Sequence, residues 1–186
     1  PAVGRCSPRM IRAIVLLPLP LSPTRLTTWG GSDNRLNDTP STAVMPPSLP
    51  AALVPPVSDP AVIRGHADSL TAAEKAFSDE AQTIGIGPAF ARHGRADAVN
   101  MGGPDSPGFI VGSEAIGRNV GAGSPPNTSP VEWSADRVLV ASSGDLGITF
   151  GMIRIRQPQA GQPAAVPFYT IWRRDGPAQP WRYVAE

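Results

Sequence analysis

Hydrophobic and polar positions alternate with a readable period only in the later two thirds of the chain. In "DSLTAAEKAFSDEAQ", Leu70, Ala73, Phe77 and Ala81 fall on one side of a 3.6-residue repeat, which predicts an amphipathic helix from about Asp68. Thr71 precedes Glu74 by three residues, the spacing of a capping box. In "IGIGPAFARHG", Pro88 stands where a short helix would start and Gly94 where it would stop. "ADAVNM" and "PGFIVG" read as short strands, and "GSEAIGRN" as one or two helical turns capped by Ser113. A Gly, Pro, Asn and Ser-rich loop from Gly121 to Pro130 follows.

The remainder is strand text: "VEWSADRVLVAS", "GITFGMIRIRQ", "AVPFYTIWRRD" and "WRYVAE". Ile148, Phe150 and Met152 share one face of the second of these strands by the period of two. Helices first and then hairpin-linked strands predict an α+β fold rather than a βαβ alternation. The strand pair around "SSGDLGITFGMIRI" is joined by Gly144-Asp145-Leu146-Gly147. Asp145 reads as a turn residue bonding nearby backbone donors, and the glycines as positions of bend and close approach.

Before residue 66 no period survives. Twelve of the 23 prolines lie in the first 60 residues, a stretch with no Glu and no Lys. Proline removes a backbone donor and biases its predecessor away from helix. Residues 1–65 are therefore expected to be a mostly disordered, Pro-rich segment without a core, and residues 66–186 the folded domain. A signal-like patch at Arg12–Leu21 offers an export reading, although Pro18 and Pro20 interrupt it and no small-x-small cleavage site follows. Text of this kind also arises from GC-rich DNA read in a wrong frame. The compartment is thus left between cytoplasmic and exported.

Composition narrows the classes. The chain has 186 residues and a net charge of +1, which favours neither nucleic acid nor an acidic membrane. Lys75 is the sole lysine, an arginine bias that fits a GC-rich bacterial genome. Cys6 is the sole cysteine, so an internal disulfide and a cysteine metal cluster are excluded. No apolar run approaches the roughly 18 residues that cross a bilayer. Two histidines without ligand spacing predict no metal site, and the absence of GxGxxG, GK[ST] and GxSxG predicts no cofactor and no nucleophile elbow.

Five segments, in order, carry a resemblance: "AAEKAFSDEA", "GPAFARHGRADAV", "GFIVGSEAI", "SSGDLGITFG" and "FYTIWRRDGPAQPWRYV". Over residues 68–186 they resemble the superfamily of nuclear transport factor 2, ketosteroid isomerase and SnoaL-like polyketide cyclases, and most of all a bacterial branch of unknown function. The resemblance implies a cone: a curved antiparallel sheet wrapped around N-terminal helices, with an interior pocket and a homodimer formed through the sheet. It also implies where steroid-isomerase chemistry would sit. Gly102 falls at the position of the aspartate base, and the first helix has no tyrosine to stabilise an oxyanion.

The expected ligand pocket is apolar and aromatic: Phe77, Phe90, Met101, Trp133, Phe150 and Trp172, with Phe168 or Tyr169. Each of these also fits a plain core position. His93 and Asn100 are the candidates for proton transfer, although a histidine at a helix C-terminus also fits water and the helix dipole. His66 reads as an inert linker residue. Trp133 is expected to face inward and Glu132 outward. Arg154, Arg156, Arg173, Arg174 and Arg182 read as a solvated sheet face or, alternatively, a small anion site. The reading that follows is a cone domain binding a small hydrophobic ligand, without the steroid-isomerase set. Its alternatives are an isomerase, cyclase or dehydratase and a dimerisation module.

Overall fold

The computed structural model describes residues 54–102 and 108–186. Arg12–Leu21 and most of the Pro-rich segment lie outside the described residues. The first helix, α1, spans Pro60–Ile84, so it starts earlier than periodicity suggests. Asp59 caps it by accepting from the Ala61 N–H at 2.8 Å, and Pro60 occupies the first turn, where its missing donor costs nothing. The chain is already tied down before the helix: the Val57 N–H donates to the Ser142 carbonyl at 3.1 Å. Thr71 is therefore a mid-helix residue. Its hydroxyl bonds back to the Ala67 carbonyl at 3.0 Å instead of capping.

Helix α2, Ile86–His93, ends at Gly94. Helix α3, Ser113–Val120, has Gly112 at φ +94° as its N-cap, so Ser113 is its first residue rather than its cap. These two short helices pack backbone to backbone. A Cβ on Gly117 would stand 2.5 Å from the Gly87 carbonyl oxygen, so only glycine allows the approach.

The strands are β1 (Gly94–Met101), β2 (Phe109–Val111), β3 (Val131–Val140), β4 (Leu146–Ile155), β5 (Ala165–Arg173) and β6 (Arg182–Ala185). They form one open sheet in the order β2-β1-β6-β5-β4-β3. The sheet is mixed rather than wholly antiparallel: β1 runs parallel to β6, and every other pair is antiparallel. The fold is thus an α+β cone with α1 lying across β3 and β4. No helix among the described residues is long and apolar enough to cross a membrane.

Which sheet face is covered decides several side chains. On β4 the inward set is Gly147, Thr149, Gly151, Ile153 and Ile155. The set Ile148, Phe150 and Met152 faces out, although it is the bulkier one. The helix explains the inversion. A Cβ on Gly147 would meet the Leu70 side chain at 2.4 Å, so α1 sits too close for large residues there. A Cβ on Gly151 would stand 1.9 Å from the Ser134 carbonyl, beside the bulge between Ala135 and Arg137. Phe150 is therefore not a cone residue; its ring lies 6.5 Å from that of Tyr169 on the outer face.

The core is aromatic. Phe77 is fully buried and touches Phe90, Trp133 and Tyr183 at centroid distances of 4.9, 4.8 and 5.7 Å. The Tyr183 hydroxyl donates to the Phe90 carbonyl at 2.9 Å, and the Trp181 indole to the Ser69 hydroxyl at 3.0 Å.

Candidate ligand cavity and buried carboxyl pair

Glu74 is the most deeply placed acid of the interior. It shares the inward stripe of α1 with Leu70, Phe77, Ser78 and Ala81, and is almost fully buried. Its carboxylate accepts from the Trp133 indole at 2.7 Å, the Trp172 indole at 3.0 Å and the Thr149 hydroxyl. Burial pushes its pKa up, and the three donors only partly offset that.

Glu186 follows β6. Ala185 pairs with the outward Ile171, so Glu186 falls on the inner face beside Thr170. Burial, reinforced by the charge of Glu74, pushes the Glu186 carboxyl up to about 8. The Thr170 hydroxyl is fully buried beside both acids and opposes the rise of each, and among the described residues it meets full hydrogen-bond geometry with none.

Above this pair lies a cavity of about 210 Å³. Ile86, Phe90, Val120, Val131, Trp133 and Ile153 form apolar walls, and Asn100, Asn119 and Glu186 supply polar groups. Met101, Asn119 and Tyr169, all exposed, mark its mouth.

Of the residues expected at a pocket, Phe90, Met101, Trp133 and Asn100 line this cavity, as do both Phe168 and Tyr169. Phe77 and Trp172 are fully buried core residues behind it. Phe150 is on the opposite face of the sheet. Trp133 faces in, while Glu132 faces out and pairs with Arg156 at 3.3 Å.

His93 lies away from the cavity. Its Nε2 bonds Glu80 at 2.6 Å and its ring stacks on Phe77 with centroids 4.9 Å apart. Burial lowers its pKa, against the opposing pull of Glu80. Glu80 in turn, despite some desolvation, is held below the usual carboxylate range by His93 and Arg92. This pair ties α1 to α2.

His66 is neither in a linker nor inert. It is buried in α1, and Arg174 donates from Nη2 to its Nδ1 at 3.0 Å. Arginine is always a donor, so Nδ1 must accept and the ring proton sits on Nε2. Arg174 is buried too, not part of a solvated face. Its Nε donates to the Gly144 carbonyl at 2.5 Å, Nη1 to the Pro177 carbonyl at 2.8 Å, and its guanidinium stacks 4.2 Å over Trp181. The Gly-Asp-Leu-Gly turn is thereby locked. Gly144 has φ +70° and leaves no room for a side chain against the His66 ring. Asp145 accepts from the Ser143 hydroxyl at 2.5 Å, a side-chain rather than a backbone donor.

Glu74 had a sequence signal: it lies four residues after Leu70 on the same stripe. Glu186, Asn119 and the His66–Arg174 pair had none, because each depends on contacts between segments far apart in the chain.

No protein-family model and no curated protein matches this chain. In fold it is similar to solved structures of the nuclear transport factor 2-like and ketosteroid isomerase-like kind. The association domain of C. elegans CaMKII is 10% identical, with 67% of this chain and 95% of that chain covered at a TM-score of 0.47. An NTF-2 like protein of unknown function from Shewanella oneidensis is 10% identical, with 63% and 90% covered at 0.43. A ketosteroid isomerase-like protein from Erwinia carotovora atroseptica is 18% identical, with 67% and 90% covered at 0.40. The likeness is one of fold alone.

Proposed function

We propose that the cone binds one small, mainly apolar molecule in its cavity. The supporting observation is the cavity itself, with continuous apolar walls and a few polar groups, the usual make-up of a small-molecule site. An apolar cavity of about 150 Å³ holds benzene, so about 210 Å³ suits one ring with a short substituent. Steroid-isomerase chemistry is not part of the reading, since Gly102 stands where the resemblance puts the base. A thermal-shift screen of single-ring hydrophobic compounds tests it. A ligand at 100 times its Kd stabilises by about 2.7 kcal/mol; no shift from any compound would end the proposal.

A second reading, an isomerase, cyclase or dehydratase, draws on Glu186. A carboxyl pushed near neutrality at a cavity wall suits general acid–base work. Turnover that survives Glu186→Gln unchanged would exclude this role.

A third reading concerns the outer sheet face, where Leu139, Leu146 and Tyr169 are exposed beside Phe150. We propose that a second copy covers it. Light scattering at micromolar concentration should give a dimer, and Phe150→Glu a monomer.

A further inference from the structure

The cavity's charge pattern narrows the ligand. Among the described residues, Glu186 is the one charged residue on its wall, and no Arg, Lys or His lines it. The groups near Glu186 are Glu74 from α1, the Thr170 hydroxyl from β5 and the Tyr183 phenol from β6, with Asn100 of β1 on the shared wall. Among the described residues, no ion pair involves either carboxyl. An acid pair at an apolar wall without a counter-cation has no partner to offer a carboxylate or phosphate and leaves a place for positive charge. The Thr170 hydroxyl, which meets full hydrogen-bond geometry with none of the described residues, adds a buried polar atom at the same spot. Above it, Phe90 and Trp133 present aromatic surface, which attracts ammonium groups and apolar rings alike.

We propose that the ligand is a protonated hydrophobic amine, seated with its ammonium on the Glu186 carboxyl and its apolar part against Phe90 and Trp133. This rests on the cavity being a ligand site. Burial and the neighbouring acid hold the empty carboxyl protonated up to about pH 8. An arriving cation supplies the missing counter-charge, so Glu186 ionises and its proton passes to solvent. Binding is then linked to the release of one proton. The affinity should rise with pH up to about 8, where the empty carboxyl itself ionises, and then level off until the amine titrates, near pH 10 for an alkylamine.

Calorimetric titration of the full chain with 2-phenylethylamine and its neutral counterpart 2-phenylethanol, at pH 6, 7 and 8, tests this. The amine should bind more tightly at each step, roughly tenfold from pH 6 to 7 and about fivefold from pH 7 to 8, with about one proton released at pH 6 and about half at pH 8 in buffers of different ionisation enthalpy. The alcohol should show no such rise. At pH 8 the amine should exceed the alcohol roughly tenfold, and Glu186→Gln, which mimics the protonated acid, should lose that preference while still binding the alcohol. An alcohol that binds as tightly as the amine overturns the amine proposal and leaves the cavity as a ligand site. An amine affinity that is flat or falls with pH does the same. If neither compound binds at any pH, the ligand reading falls with it.

Discussion

The Trp133 indole donates to the Glu74 carboxylate across 2.7 Å, and both residues are buried. That bond joins the middle of α1 to β3, and the Trp172 and Thr149 donors extend it to β5 and β4. One carboxylate thus holds the helix to three strands. Glu74→Ala should cost about 3–5 kcal/mol, because three buried donors lose their acceptor. Glu74→Gln keeps one acceptor oxygen and should cost about half as much. Urea unfolding gives both values; an alanine cost below about 1 kcal/mol would refute the role.

Both interior carboxyls are raised, which sets the sign of a pH dependence. In the unfolded chain they ionise near pH 4.3. Above that pH the unfolded state has lost protons that the folded state keeps, so stability falls as pH rises towards about 8. His93, lowered by burial, works oppositely and removes stability as pH falls below about 6.5. Denaturant midpoints should therefore drop between about pH 6.5 and 8, and Glu186→Gln should flatten that drop. A flat wild-type profile there would contradict the assignment.

Gly144 and Gly161 both have positive φ, +70° and +83°, but different surroundings. A Cβ at Gly144 would stand 2.5 Å from the His66 ring, whereas nothing lies within 4 Å at Gly161. Gly161→Ala should cost about 1 kcal/mol from the backbone alone. Gly144→Ala should cost about 3 kcal/mol, since the buried ring must also move. Equal losses in thermal unfolding would mean that the His66 contact carries no weight.

Arg174→Lys keeps the charge and loses the fork that spans His66, Gly144 and Pro177. It should cost about 2–4 kcal/mol. Hydrogen exchange at the Gly144 turn should quicken more than exchange in β1, which β6 separates from β5 and Arg174.

Phe77→Ala should cost about 3–5 kcal/mol, as expected for a fully buried ring. Phe150→Ala, on the outer face, should cost about 1 kcal/mol in the monomer. Chemical denaturation of the two variants separates the faces of β4.

Much of the fold was legible because it depends on local period. Leu70, Phe77 and Ala81 on one stripe announce α1, and Trp133 inward with Glu132 outward follows from strand alternation. The start of α1 was hidden by Pro60, which breaks a pattern inside a helix but suits its first turn. Phe150 was misplaced for a different reason. A period of two separates the faces without saying which is covered, and the bulkier set lies outside because α1 presses on Gly147 and the β3 bulge crowds Gly151.

The sequence by itself determined the class of the protein: helices followed by paired strands, an aromatic interior, and glycines where the chain must turn. These follow from the side chains and backbone limits of neighbouring residues. Tertiary structure decided the site. Glu74 and Glu186 are 112 positions apart in the chain, and their shared burial raises both acids. His66 and Arg174 meet only when α1 reaches the strand ends. A side chain's charge state and partners depend on what surrounds it, and only the folded chain brings those surroundings together.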